Sequence, residues 1–226
     1  MQRYAVYYAP EAGPLADFTA QWLGWDAERR LTPPRKAIAD LPGDADSITA
    51  NARKYGFHGT IKAPFRLHGA GTIGALKVAC AELALSLAPV SLQGLSLQAL
   101  DGFLALVPTG DTTALSRLAD QVVLALETFR AALTPAEIAK RRPERLTPRQ
   151  RDLLAKYGYP FVREEFQFHL TLTDALSASD LAATRAALAP HLMPLLPQPF
   201  IIRDLCLCAE GDDGLFRILH RYALAG

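Results

Sequence analysis

The sequence predicts an α+β fold of two related halves with largely antiparallel sheets, and three observations carry that expectation. Strand-like and helix-like stretches are mixed without strict β-α alternation. Asp101-Gly102 and Gly211-Asp212-Asp213-Gly214 read as turns joining antiparallel strands. Phe57-His58-Gly59-Thr60-Ile61 returns as Phe168-His169-Leu170-Thr171-Leu172, 111 residues later in a chain of 226. With average residue usage the shared pattern starts at roughly one position in 100,000, so two copies read as an internal duplication. The expected body is one bilobal domain over 1–226, with approximate halves 1–110 and 111–226. Outer helices should cover two mainly antiparallel sheets around a central cleft on a pseudo-twofold axis.

Each element has a local reason. Arg3 to Tyr8, rich in tyrosine and valine, predicts a strand, and Gly13-Pro14 then opens a helix with Leu15, Phe18 and Trp22 on one stripe. Asp44 to Tyr55 predicts a short helix closing at Gly56, where a left-handed cap would turn the chain into a strand from Phe57 to Ala63, stopped by Pro64. Thr72 to Leu87 predicts an apolar helix, and Val90 to Leu100 with Phe103 to Val107 two strands across Asp101-Gly102. The first half thus reads β-α-β-α-β-β.

In the second half, Leu115, Leu118, Val122, Leu126 and Phe129 fall at helical spacing after Asp111. Thr134-Pro135-Ala136-Glu137 and Thr147-Pro148-Arg149-Gln150 each fit a capping box with proline at the first helical position. Phe166 to Thr173 predicts a strand, Ala178 to Leu188 a helix, and Ile201 to Cys208 with Phe216 to Tyr222 a closing antiparallel pair.

Composition narrows the function classes. Hydrophobic residues are 50% and charged residues 21%, which excludes a disordered chain. Lys+Arg 24 against Asp+Glu 23 gives a net charge of +1, so no global field gathers nucleic acid and an anionic substrate must be held locally. The start lacks a basic stretch followed by an apolar core, and no run approaches the length of a membrane span; the expected location is cytoplasmic. Of three cysteines, Cys206 and Cys208 share a strand face where they are poorly placed to bridge, and no Cys-x-x-Cys pair exists, so zinc ribbon and thioredoxin readings fall away.

The repeated motif carries the chemistry. Side chains at i and i+2 of a strand share a face, so His58 and Thr60 project together, as do His169 and Thr171, while their apolar neighbours point the other way. Facing pairs across a pseudo-twofold axis suit a tetrahedral anion. Two imidazoles with reference pKa about 6.5 can act as base and acid near neutral pH, and two hydroxyls can donate to phosphoryl oxygens.

These paired motifs resemble the two-histidine phosphoesterase superfamily, which includes RNA cyclic phosphodiesterases and RNA-ligase-like proteins. The contexts Tyr55-Gly56-Phe57-His58-Gly59-Thr60-Ile61-Lys62-Ala63-Pro64-Phe65 and Phe166-Gln167-Phe168-His169-Leu170-Thr171-Leu172-Thr173 look like the branch associated with bacterial phosphonate-metabolism operons. The resemblance implies a duplicated bilobal fold and a quartet of His58, Thr60, His169 and Thr171. It also implies hydrolysis of a cyclic phosphodiester with no metal and no cofactor. One departure is Gly59, where alanine is common; it lies on the covered face and bears on packing.

Around the quartet, Lys62 continues the phase of His58 and Thr60 and is a candidate charge at the mouth of the site, or a strand-end lysine reaching solvent. Tyr55 and Tyr159 are candidates to stack on a base or sugar, or core tyrosines. The basic stretch 140–151 is a candidate phosphate contact or a solvated face. His68, His191 and His220 lack the motif context and read as structural. A metallohydrolase would need at least three ligands, and Asp174 is out of phase with His169. The expected partner is a small cyclic phosphate or an RNA terminus, and nothing in the sequence implies a protein partner. A module that binds a phosphorylated ligand or RNA end without turnover would use the same pocket.

Overall fold

Alternation along the first strand, β1 (Tyr4–Tyr8), sorts its side chains between two environments in the computed structural model, which describes residues 3–226. Tyr4, Val6 and Tyr8 enter the main core, whereas Ala5 and Tyr7 face the other way, beside Cys206, Cys208 and Phe216. Pro14 then starts α1 (Pro14–Leu23), which ends on Gly24 in the left-handed conformation. A short α2 (Ala45–Ile48) and a separate 3-10 turn, Ala52–Tyr55, replace the single helix expected over 44–55. Next come β2 (Gly59–Phe65), α3 (Ile73–Leu85) with Thr72 accepting from the Ala75 amide, β3 (Val90–Leu92) and β4 (Gly94–Leu100).

The second run begins with β5 (Phe103–Thr109), joined to β4 by Asp101 and Gly102, both at positive φ as a two-residue hairpin requires. It continues through α4 (Thr113–Ala125), α5 (Pro135–Lys140) and α6 (Pro148–Tyr157). Both expected capping boxes are formed, Thr134 with Glu137 and Thr147 with Gln150. Then follow β6 (Leu170–Thr171), α7 (Ala178–Leu192), β7 (Phe200–Ile202), β8 (Asp204–Glu210) and β9 (Phe216–Ala223).

Seven strands form one sheet in the order β4-β5-β6-β2-β1-β8-β9, and β3 with β7 forms a second. Every strand pairing among the described residues is antiparallel. Exchanging β1 with β5, β2 with β6, β3 with β7 and β4 with β8 turns the first six strands of the large sheet into their own reverse order. It also maps the small sheet onto itself, while β9 extends one edge beyond the symmetry. β2 and β6 are therefore neighbours at the topological axis. The strands expected over 90–100 and 201–208 are each split, at Gln93 and Arg203, because their first parts pair with each other in the small sheet.

Leu76, Leu115, Leu118, Val122 and Leu188, from α3, α4 and α7, are fully buried or nearly so against the same face of the large sheet. The opposite face holds the cleft. Residues between α1 and β2 form one of its walls and residues between α4 and β6 the other, at corresponding places in the exchanged topology. No helix among the described residues is long and apolar enough to cross a membrane.

Candidate active site

Both motif histidines stand one residue before their strands begin, so the strand expected over 166–173 shrinks to Leu170–Thr171. What holds each ring is local. His58 Nδ1 lies 2.9 Å from the Gly56 carbonyl oxygen, and His169 Nδ1 lies 2.9 Å from that of Gln167. A carbonyl only accepts, so Nδ1–H donates in both rings and the neutral form keeps its lone pair at Nε2. Gly56 permits this at φ 67°, ψ 178°: positive φ as expected, but extended in ψ and thus not a left-handed cap. A side chain there would also meet Ala27 Cβ at 2.9 Å.

Gly59 pairs with Leu170 across β2 and β6. Continuing that antiparallel register by one residue each way sets His58 opposite Thr171 and Thr60 opposite His169, all on one face. Phe57, Ile61, Phe168, Leu170 and Leu172 fill the core on the other face. The quartet is thus crossed, with histidines on one diagonal and threonines on the other. Thr60 Oγ1 is 3.3 Å from His58 Nε2, a long contact in which the hydroxyl donates to the neutral ring.

Two further supports come from outside the motif strands. The Trp22 indole donates to the Leu172 carbonyl at 2.8 Å, tying α1 to the second motif. Asp174 accepts from the Asn51 amide (2.9 Å), the Asn51 side chain (2.9 Å) and the Ala52 amide (3.0 Å), so it fastens the turn that carries Tyr55 and Gly56 to the end of that motif. Among the described residues no group of three His, Cys, Asp or Glu side chains is arranged to hold a metal ion.

The cleft has a volume of about 970 Å³ and is lined by His58, Thr60 and Thr171, with Tyr55 and Tyr159 from opposite walls. Tyr55 stacks on Phe216 with its centroid 5.6 Å from that of His58, and Arg141 lies over the Tyr159 ring. His169 is half-buried against Phe103, itself a lining residue, at 5.6 Å between centroids.

Lys62 departs from the expectation at the mouth. It is 3% exposed, and its ammonium donates to Glu127 at 2.9 Å and to the Val123 carbonyl at 3.2 Å at the end of α4. Register shifts between β1 and β2 on either side of Val6, which pairs with Lys62, break the alternation there. Of the basic stretch, Lys140 and Arg141 reach the cleft, whereas Arg149 pairs with Glu164 and Arg151 donates to the Leu146 carbonyl. His68, His191 and His220 lie outside the cleft; His68 Nδ1 accepts from the Ala70 amide, His191 stacks near Phe18 and His220 packs on Tyr222.

Among the lining residues that escaped the sequence reading are Tyr7, Arg3 and Arg66. The alternation of β1 was the available signal, since it sends Arg3 and Tyr7 to the face opposite Tyr4, Val6 and Tyr8. Arg3 is held by Glu210 and Arg66 by Glu137, each through two hydrogen bonds. Burial pushes the His58 imidazole down to about 4; the Gly56 carbonyl opposes this and the charge of a protonated His169 adds to it. Burial raises the Tyr7 phenol well above its ordinary range, so it stays a donor.

Residues 60–217 match a family described as "Protein of unknown function (DUF1045)". The chain belongs to this family. The DUF1045 match takes in Thr60, His169 and Thr171 and begins two residues after His58. A Janthinobacterium sp. (strain Marseille) protein named ribose 1,5-bisphosphate phosphokinase PhnN is 40% identical over 224 residues, 95% of this chain and 49% of that protein. A Laribacter hongkongensis (strain HLHK9) protein of the same name is 34% identical over 215 residues, 94% of this chain and 49% of that one. The DUF1045 chain thus spans about half the length of the curated relatives it matches. The crystal structure of E. coli LigT complexed with 3′-AMP aligns over 100% of this chain and 99% of its own, at 15% identity and a TM-score of 0.43.

Proposed function

We propose that this protein is a metal-independent phosphodiesterase of the two-histidine type that hydrolyses a cyclic phosphodiester. The observation that supports this best is the crossed quartet with both imidazoles tethered through Nδ1, which leaves Nε2 of each ring for proton transfer. His58 is the base: held neutral by burial, its Nε2 takes a proton from water as the oxygen attacks phosphorus. The bond from phosphorus to the leaving oxygen breaks, and His169 gives that oxygen its Nε2 proton, so water plus cyclic diester becomes a monoester. Thr60 and Thr171 donate to the non-bridging oxygens, for which Thr60 exchanges its long contact with His58 for one to substrate. Tyr55 and Tyr159 bracket the sugar or base. The substrate is a cyclic phosphosugar of phosphonate metabolism or a 2′,3′-cyclic nucleotide or RNA end, and the protein works in the cytoplasm as a single bilobal domain.

The kinase name of the relatives favours a second reading, in which this stretch phosphorylates a ribose bisphosphate. Against it, no Gly-x4-Gly-Lys-(Ser/Thr) phosphate loop occurs in the sequence; Gly69 and Gly74 have the glycine spacing, but Ala75-Leu76 follows. We assign the kinase activity to the half of those proteins that this chain does not match. A third possibility, a module that binds a phosphorylated ligand or RNA end without turnover, has no use for two imidazoles in opposite protonation states. A screen of ribose cyclic phosphates and 2′,3′-cyclic nucleotides with EDTA present, run beside an ATP-dependent kinase assay on ribose 1,5-bisphosphate, separates the three. Monoester formation supports the diesterase, ADP formation the kinase, and tight binding without product the module.

A further inference from the structure

Tyr7 is 1% exposed, yet its hydroxyl has no hydrogen-bond partner among the described residues. A buried phenol normally finds one, because leaving it unmade costs more than the bond itself gains. This hydroxyl belongs to a residue lining the cleft, on the strand next to β2 and opposite Thr60 in the register. The Tyr7 ring lies against the His58 ring with centroids 4.1 Å apart and is backed by Phe216 at 5.9 Å, so the phenol packs directly beside the quartet. Tyr55, Tyr159 and Arg3 lie within its electrostatic reach, and Arg3 is already committed to Glu210.

We propose that the Tyr7 hydroxyl donates a hydrogen bond to the bound phosphoryl group, as a third neutral donor beside Thr60 and Thr171. The proposal rests on the diesterase reading and adds a substrate contact to it. The orphaned hydroxyl is then the mark of a site satisfied only when an anion is bound. A donor of this kind binds the phosphoryl group without adding charge beside His58, where a cation would push the imidazole further from protonation. It also explains why an aromatic with a polar tip stands where Phe would pack equally well.

The test is Tyr7→Phe, which keeps the ring and removes only the hydroxyl. Inorganic phosphate is titrated into the wild type, Tyr7→Phe and Thr60→Val, following the His58 ring resonances by NMR, and each protein's thermal midpoint is measured without phosphate. The expected result is phosphate affinity about 10-fold weaker in Tyr7→Phe, with a midpoint equal to or above that of the wild type, since a buried unpaired donor has been removed. Unchanged affinity in Tyr7→Phe, with Thr60→Val weakened, would overturn the proposal and leave Tyr7 a packing residue with a water-bound hydroxyl. Unchanged affinity together with a lowered midpoint would overturn it too, in favour of a structural role. If the wild type neither bound phosphate nor turned over any cyclic diester, the diesterase reading itself would fall, a result separate from any difference between the variants.

Discussion

The ring of Phe168 occupies the space that a side chain at position 59 would need: a Cβ on Gly59 would lie 2.3 Å from Phe168 Cζ and 2.4 Å from Cε2. The first motif is thus hollowed to receive the aromatic residue of the second. Phe168 in turn packs among Tyr8, Phe166 and Phe200, so it has little room to retreat. Gly59→Ala should destabilise the protein by about 1–3 kcal/mol through overpacking. Urea unfolding checks this, and a second variant, Gly59→Ala with Phe168→Leu, should recover part of the loss if the clash is its cause.

The Lys62 ion pair makes an asymmetric prediction. Glu127 accepts from both Lys62 and Arg130, so removing Glu127 leaves two cations without it, whereas removing Lys62 leaves Glu127 still paired. Glu127→Ala should therefore cost about 1–3 kcal/mol and Lys62→Met less. Turnover per folded molecule should be unchanged in both, because neither charge reaches the quartet. A large loss of turnover in folded Lys62→Met would return Lys62 to the site.

The pH dependence follows from His58, whose folded value of about 4 lies below its ordinary 6.5. Below 6.5 the unfolded chain takes up a proton that the folded one refuses, so this contribution to stability is complete above about 6.5 and is lost as pH falls towards 4. His58→Gln should flatten that part of the curve of unfolding free energy against pH. The same proton sets the acid limb of the rate: kcat/KM should hold until pH approaches about 4, where the base becomes protonated. An acid limb near neutrality in the wild type would assign the base to another group.

Much of this was legible in the sequence, and the reason is periodicity. The two-residue repeat of a strand sorted His58, Thr60, His169 and Thr171 from Phe57, Ile61, Phe168 and Leu172; the structure sends the second set to the core, brings His58, Thr60 and Thr171 to the cleft, and sets His169 against the cleft residue Phe103. The two capping boxes and the Asp101-Gly102 turn were equally local. What the sequence hid was non-local. The splits at Gln93 and Arg203 exist only because their first segments meet each other in a separate sheet. Lys62 looked in phase because a register shift cannot be read from side-chain alternation. Tyr7 escaped because a tyrosine in a short apolar strand with two other tyrosines reads as core; only its position against His58 and its unpaired hydroxyl distinguish it.

The most direct measurement is the single-turnover rate of cyclic phosphodiester hydrolysis, with EDTA present and folding checked separately, for the wild type, His58→Ala, His169→Ala and the double variant. Each single substitution should lower the rate by roughly 100- to 10,000-fold, the contribution of one positioned acid or base. The double variant should be little slower than either single one, since the two groups act as a unit. Thr60→Ala and Thr171→Ala should lose less, because the proton path survives. A folded His58→Ala or His169→Ala protein that kept a near-wild-type rate, or activity that vanished with EDTA and returned only with a divalent ion, would contradict the paired-histidine mechanism.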